Sequence, residues 1–374
     1  MSFLPFTRPS LDEESISSAV DSLRSGWLAT GPKVARLEEA LGEYLGGRPV
    51  RCFTSATDGL EIALKVAGVG PGDEVIVPAM SFVASANVIV RVGARPVFVD
   101  VDLDSKNLLP EQVKRAITPQ TRAIMPVHFA GLPCDIDAVY ELAVAHRLRV
   151  IEDAAHAIGS RHLGRRIGSF GDLVVFSFHP NKNMTTIEGG AISFPGTEGI
   201  EMAELERFHG LRKDDLGNMD SFLAGGKSNL SDVAAAVGIG QLSRLEEFNQ
   251  RRLVLAGRYF DRLRSQDLLR LPERGDSGHS WHIFAPLLRL DRLRISRAEF
   301  IQEMRKLEIG IGVHYPAMHL LTFYRQQGWN DGDFPKAERV GRETVTLPLF
   351  PAMQDDDIER VCSAIDRVLG EARR

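Results

Sequence analysis

Short, nearly continuous apolar runs punctuate the first half of the chain: Glu74–Val77, Pro96–Val99, Ala123–Val127, Arg149–Ile151, Leu173–Phe178 and Ala191–Phe194. Between them lie segments whose apolar residues recur at helical spacing: Asp58–Ala67, Ala84–Val92, Pro110–Ala116 and Ile136–His146. The runs are too short for helices, and they lack an alternating polar face. They read as strands buried on both sides. Strands of this kind alternating with helices predict an α/β fold, with three α/β/α layers around a mostly parallel sheet.

The flanks read differently. Residues 1–9 form an extended arm broken by Pro5 and Pro9, and Ser10 with Glu13 makes a capping-box pattern for a helix to about Leu23. A loop, Ser25–Pro32, precedes a second helix over Lys33–Tyr44. Beyond residue 230 a long helix, Asp232–Phe248, is continued or followed by Arg251–Leu263. Strands Ile283–Leu288 and Gly312–Tyr315 then mix with helices Arg297–Leu307 and Asp355–Leu369. The expected organisation is a large domain, residues 1–250, and a smaller α+β domain, residues 251–374.

Composition narrows the function. A chain of 374 residues can bury the core of two domains. A net charge of −5 offers no basic face to nucleic acid. Cys52, Cys134 and Cys362 are far apart and form no CxxC pair, which argues against zinc or disulfides and for a reducing compartment. The N-terminal residues turn polar too early for a secretion signal, and no apolar run approaches bilayer length. The expectation is a cytoplasmic enzyme with no nucleic-acid or membrane partner.

Ligands of parallel α/β sheets bind beyond the carboxyl ends of the strands. There the sequence places Glu152-Asp153-Ala154-Ala155-His156, Ser177-Phe178-His179-Pro180-Asn181-Lys182-Asn183 and Pro78-Ala79-Met80-Ser81-Phe82. A surface lysine needs no explanation, but desolvation at a strand end lowers an amine's pKa and makes Lys182 a nucleophile. Pyridoxal-phosphate chemistry needs such a lysine and an acid for the pyridine nitrogen. Asp153 is the candidate acid, although a capped loop carboxylate is the bland alternative. His156 could lie against the ring, or serve as a structural hydrogen-bonder. Thr54-Ser55-Ala56-Thr57 opens a helix, where free amides and the dipole favour a phosphate. Phe82 could stack on a flat ring or belong to the core. No GxGxxG follows the first strand, no P-loop or GxSxG occurs, and His156, His162 and His179 lack a metal-ligand cadence.

Taken together, these residues resemble the DegT-type sugar aminotransferase family, a branch of the fold-type I, aspartate aminotransferase-like enzymes. The resemblance also includes Ser25-Gly26-Trp27 with Thr30-Gly31-Pro32, Gly72–Pro78, Pro126-Val127-His128, Asn229-Leu230-Ser231-Asp232, His279-Ser280-Trp281-His282 and Leu347–Pro351. It implies that Lys182 holds pyridoxal 5′-phosphate as a Schiff base and then moves the proton. It implies that Asp153 pairs with the pyridine nitrogen and that His156 sits near the ring. Ser177 and the amides of Ala56 and Thr57 would bind the phosphate, and Phe82 would stack on the cofactor. Asn229 would reach the phosphate of a second subunit, making a homodimer with shared active sites. At Ala56 many relatives carry Gly, and at Ile187 Gly or Ala.

The implied partners are L-glutamate, 2-oxoglutarate and a nucleotide-linked 4-keto-sugar, a UDP-4-keto-pentose or a dTDP/UDP-4-keto-6-deoxyhexose. Phe3–Pro9, Ile295-Ser296-Arg297 and Gly310–His314 are similar to the branch that makes UDP-4-amino-4-deoxy-L-arabinose. Ser228 and the stretch Tyr315–His319 depart from that branch. Trp27, His314, Tyr315 and His319 are the candidate sugar contacts. Two rivals share the fold: a sugar dehydratase, whose lysine would be histidine, and a non-catalytic sensor.

Overall fold

The computed structural model of the protein describes residues 2–275 and 278–374. Seven strands form the main sheet: β1 (Val50–Phe53), β2 (Glu74–Pro78), β3 (Arg95–Val99), β4 (Thr121–Ile124), β5 (Arg149–Asp153), β6 (Leu173–Ser177) and β7 (Gly190–Ser193). Their order across the sheet is β1-β7-β6-β5-β4-β2-β3. The pairs β6·β5, β5·β4, β4·β2 and β2·β3 are parallel, and β7 runs antiparallel to both its neighbours. The expected three-layer, mostly parallel α/β fold is present.

Helices line both faces: α1 (Glu13–Ser25), α2 (Pro32–Tyr44), α3 (Ala56–Val66), α4 (Ala84–Arg91), α5 (Pro110–Ala116), α6 (Ile136–His146), α7 (Ile200–Arg207) and α8 (Asp232–Ser243). The strands' uninterrupted apolar character follows from this double cover. Along β2, Val75 and Val77 join the cluster packed with α3 and α4, while Ile76 joins the cluster packed with α5 and α6. Along β6, Leu173 and Val175 face α3, whereas Val174 and Phe176 face α2 and α8.

The later chain contributes α9 (Leu245–Leu263), α10 (Arg297–Lys306), α11 (Thr322–Arg325), α12 (Pro335–Glu343) and α13 (Asp355–Glu371). A separate buried cluster unites Leu255 and Tyr259 of α9, Phe300 and Met304 of α10, and Ile358, Val361 and Ile365 of α13. Leu4 of the N-terminal arm also lies in this cluster, bridged to Ile309. The boundary proposed near residue 250 falls inside α9.

Several local expectations are corrected. Asp12, not Ser10, caps α1, accepting the Ser15 amide at 2.9 Å, while the Ser10 carbonyl accepts from Gln241 Nε2. The expected Asp232–Phe248 helix is divided at Arg244, which caps α8 and precedes α9. The strand expected over Ile283–Leu288 shrinks to Leu287–Leu288 paired with Leu269–Arg270, plus a bridge from Phe284 to Leu347. That expected over Gly312–Tyr315 is one bridge from Gly312 to Thr346. No helix among the described residues is long and apolar enough to cross a membrane.

Candidate active site

The carboxyl ends of β2, β5 and β6 and the start of α3 open onto one cavity of about 410 Å³. Ala56, Thr57, Phe82, Asp153, His156, Ser177, Lys182, His314 and Tyr315 all line it. Nine of the residues picked from the sequence therefore meet in one place.

Asp153 is the last residue of β5 and is almost fully buried. An unsatisfied carboxylate there would cost several kcal/mol, roughly. Two donors offset this. Ser85 Oγ donates to Oδ2 at 2.7 Å, and the Ala155 amide donates to Oδ1 at 3.1 Å. Ser85 is buried in the first turn of α4, with the Ser81 hydroxyl 2.8 Å away. Sequence reasoning missed Ser85, because one serine in a helix carries no pattern signal.

Lys182 stands across the cavity in the loop that leaves β6. It makes no ion pair with Asp153. Burial pulls its ammonium down to about 8, with Asp153 acting weakly the other way. A near-neutral amine in a crevice is suited to attack a carbonyl or carry a proton.

His156 lines the same cavity. Its Nδ1 accepts the Ala130 amide at 3.2 Å, so the neutral ring carries its proton on Nε2 and donates to Tyr315 Oη at 3.2 Å. Burial, reinforced by the Lys182 and His314 charges, holds its pKa far below the ordinary imidazole value. The Tyr315 ring lies nearly parallel to that of His156, and Phe82 approaches Tyr315 at 5.6 Å between ring centroids. Phe82 itself is 54% exposed, forming the lip of the cavity. His314 Nδ1 meets Thr346 Oγ1 at 2.8 Å, and burial pulls this imidazole down to about 4.

At the other end, the hydroxyls of Thr54 and Ser55 both bond Asp58 Oδ2. Among the described residues the amides of Ala56 and Thr57, the first of α3, have no partner, and the Ser177 hydroxyl accepts the His179 amide without donating. A Cβ on Gly190 would come within 2.5 Å of the Ala56 nitrogen. Glycine there leaves room for the helix start and its amide donors. Unpaired helix N-terminal amides beside a hydroxyl are the donor set of a phosphate. The arrangement fits pyridoxal phosphate: donors for the phosphate, a carboxylate for the ring nitrogen, and an amine for the aldehyde.

Three sequence-picked residues lie elsewhere. His319 is fully buried, with Nε2 on Glu338 Oε1 at 3.2 Å and its ring edge-on to Phe334. It is a packed core histidine, and the expectation of a sugar contact within this pocket is corrected. Trp27 is 60% exposed and lines no part of the cavity. Asn229 bonds Thr30 Oγ1 and Lys227 Nζ and is not part of this cavity's lining.

The DegT/DnrJ/EryC1/StrS aminotransferase family profile matches residues 9–366. The chain belongs to that family. It is 37% identical to the spore coat polysaccharide biosynthesis protein SpsC of Bacillus subtilis, covering 97% of this chain and 96% of SpsC. Among solved structures, Spr1654 from Streptococcus pneumoniae, described as a sugar aminotransferase, superposes with a TM-score of 0.93 in both its PLP and PMP forms. The identity is 33%, over 99% of this chain and 98% of the PMP-form chain. Helicobacter pylori PseC, an aminotransferase of pseudoaminic acid biosynthesis, superposes at 0.94 with 26% identity, over 99% of this chain and 100% of PseC. The protein is thus a fold-type I sugar aminotransferase, and its cofactor is pyridoxal phosphate.

Proposed function

We infer that this protein moves the amino group of L-glutamate to C4 of a 4-keto nucleotide sugar, a UDP-4-keto-pentose or a dTDP/UDP-4-keto-6-deoxyhexose. The observation that carries the reading is the meeting of Lys182, Asp153 and the free amides of Ala56 and Thr57 around one cavity. The similarity to SpsC supports service in surface polysaccharide synthesis.

Pyridoxal phosphate, when bound, supplies the aldehyde that takes up the amino group and a ring that draws electrons from the carbon losing its proton. The amides of Ala56 and Thr57, with the Ser177 hydroxyl, would hold the phosphate end. Asp153, fixed by Ser85 and Ala155, would hold a proton on the ring nitrogen. Lys182 Nζ would anchor the aldehyde, and as a free amine it would take the α-proton from the glutamate carbon and return a proton to the sugar C4. Neutral His156 would lie near the ring, and its Nε2 proton orients Tyr315. Phe82, at the lip, would stack on the cofactor. His314 and Tyr315 bound the space left for the sugar.

The active unit in this reading is a homodimer, in which Asn229 reaches a second subunit's phosphate. Exposed Leu216, Met219 and Phe222, on and beside the hairpin formed by residues 211–221, are consistent with such a covered face. The test is incubation with glutamate and a panel of UDP- and dTDP-4-keto-sugars, with products identified by mass. Amination of one sugar with stoichiometric 2-oxoglutarate is expected. Failure to aminate any keto-sugar would end the reading.

A further inference from the structure

Outside the cavity's lining, two side-chain amides, those of Asn183 and Asn249, join the two loops that carry the chemistry. Asn183, directly after Lys182, is buried. Its Nδ2 donates to Asn249 Oδ1 at 2.7 Å and to the Ser280 carbonyl at 2.9 Å. Those two bonds fix the amide's orientation, so Oδ1 is an acceptor, and His282 Nδ1 stands 3.2 Å from it. The His282 proton therefore sits on Nδ1. Asn249 Nδ2 in turn donates to the Ile158 carbonyl at 3.1 Å, in the loop that leaves β5 just past His156.

The same segment grips His156 from its other side. The Ser280 hydroxyl contacts the His156 carbonyl at 3.2 Å, and the His282 amide donates to Ala130, whose own amide holds His156 Nδ1. The imidazoles of His282 and His156 lie 4.3 Å apart between centroids. Two glycines make this approach possible. A Cβ at Gly131 would collide with Ser280 Oγ and the His156 carbonyl, and one at Gly159 with the Asn249 amide. Both also have φ in the left-handed region, at 91° and 83°.

We propose that His282, acting through Asn183, is a positioning residue that fixes Lys182 relative to His156 and Asp153. The bond it donates joins those from Asn183 to Asn249 and Ser280 in tying the Lys182 loop to the later part of the chain, and it is the one that engages the Asn183 side-chain oxygen. Remove the donor, and a buried Asn183 oxygen is left unpaired next to the reacting amine. Asparagine at 282 can present a donor where Nδ1 stands; leucine cannot. The proposal rests on the reading of Lys182 as the cofactor lysine.

The test uses the full chain stripped of cofactor. Pyridoxal phosphate is added, borohydride fixes the adduct, and mass spectrometry follows trapping at Lys182 across pH. Wild type, His282→Leu, His282→Asn and Asn249→Ala are compared, with kcat, KM and thermal unfolding of the reloaded proteins. His282→Leu is expected to slow trapping and kcat by about tenfold or more with KM for glutamate unchanged. His282→Asn recovers most of both, and Asn249→Ala falls between. A wild-type trapping rate and pH midpoint in His282→Leu overturns the proposal. So does a loss that merely follows the folded fraction, or one that His282→Asn shares in full. Should His282→Leu fail to fold, the partly exposed Asn249→Ala carries the same test, and wild-type behaviour there overturns it. Trapping of wild type at a different lysine overturns the reading of Lys182 itself, a separate result.

Discussion

At the scale of single residues, the site is a set of polar groups each held by a neighbour. Asp153 keeps its place through Ser85, whose hydroxyl is the only side-chain donor to it among the described residues. A hydrogen bond to a charged group is worth about 1.5–3 kcal/mol. Ser85→Ala should therefore lower kcat by about tenfold or somewhat more, with little change in KM, as read by steady-state kinetics. Lys182 gives a pH prediction. Only the unprotonated amine attacks, and burial brings its pKa to about 8. Capture of added pyridoxal phosphate by the cofactor-free protein should rise with pH up to that value and flatten above it. A continued rise toward the ordinary lysine range, measured by stopped-flow absorbance, would contradict the desolvated amine. Lys182, Asp153 and His156 were legible because they stand at strand ends, where a parallel sheet must gather its ligands. Ser85 was not, since nothing local marks it, and His319 misled because its motif neighbours His314 and Tyr315 do line the pocket.

At the scale of elements, the phosphate site is a helix start pressed against a glycine turn. Gly190→Val would push its side chain into the Ser55–Ala56 backbone, displacing the amides of α3. The expected outcome is at least about a tenfold rise in the dissociation constant for pyridoxal phosphate, measured by equilibrium dialysis, with the far-ultraviolet circular dichroism retained. Retained wild-type affinity would remove the phosphate from that turn. The central strands were readable because burial on both faces leaves an unbroken apolar signature. Strand β1 was not, because Arg51 interrupts a four-residue edge strand. Helix α12 also escaped, its sparse apolar positions lying among charges. The C-terminal strands were overcalled. Ile283–Leu288 is apolar because it is buried between two clusters, with Phe284 and Leu288 packed with α9 and α13 and Ile283, Ala285 and Leu287 packed in the cluster of α3 and α4, and burial alone does not make a ladder.

At the scale of the molecule, the exposed apolar residues of the hairpin and the place of Asn229 outside its own chain's cavity make sense if two chains complete each other's sites. Lys182→Ala and Asn229→Ala proteins, each inactive or impaired alone, should regain activity when unfolded together and refolded as a mixture. No recovery, with dimers shown by sedimentation to have formed, would place Asn229 outside the partner's site. The central claim is narrower and can be tested in one cuvette. The cofactor-loaded protein receives L-glutamate with no sugar present, and its visible spectrum is followed. Loss of the lysine-bound absorption band with one equivalent of 2-oxoglutarate per chain is predicted for wild type, and no turnover for Lys182→Ala. An unchanged wild-type spectrum, or normal turnover by the variant, would contradict the assignment of Lys182 and Asp153 as the two grips on one cofactor.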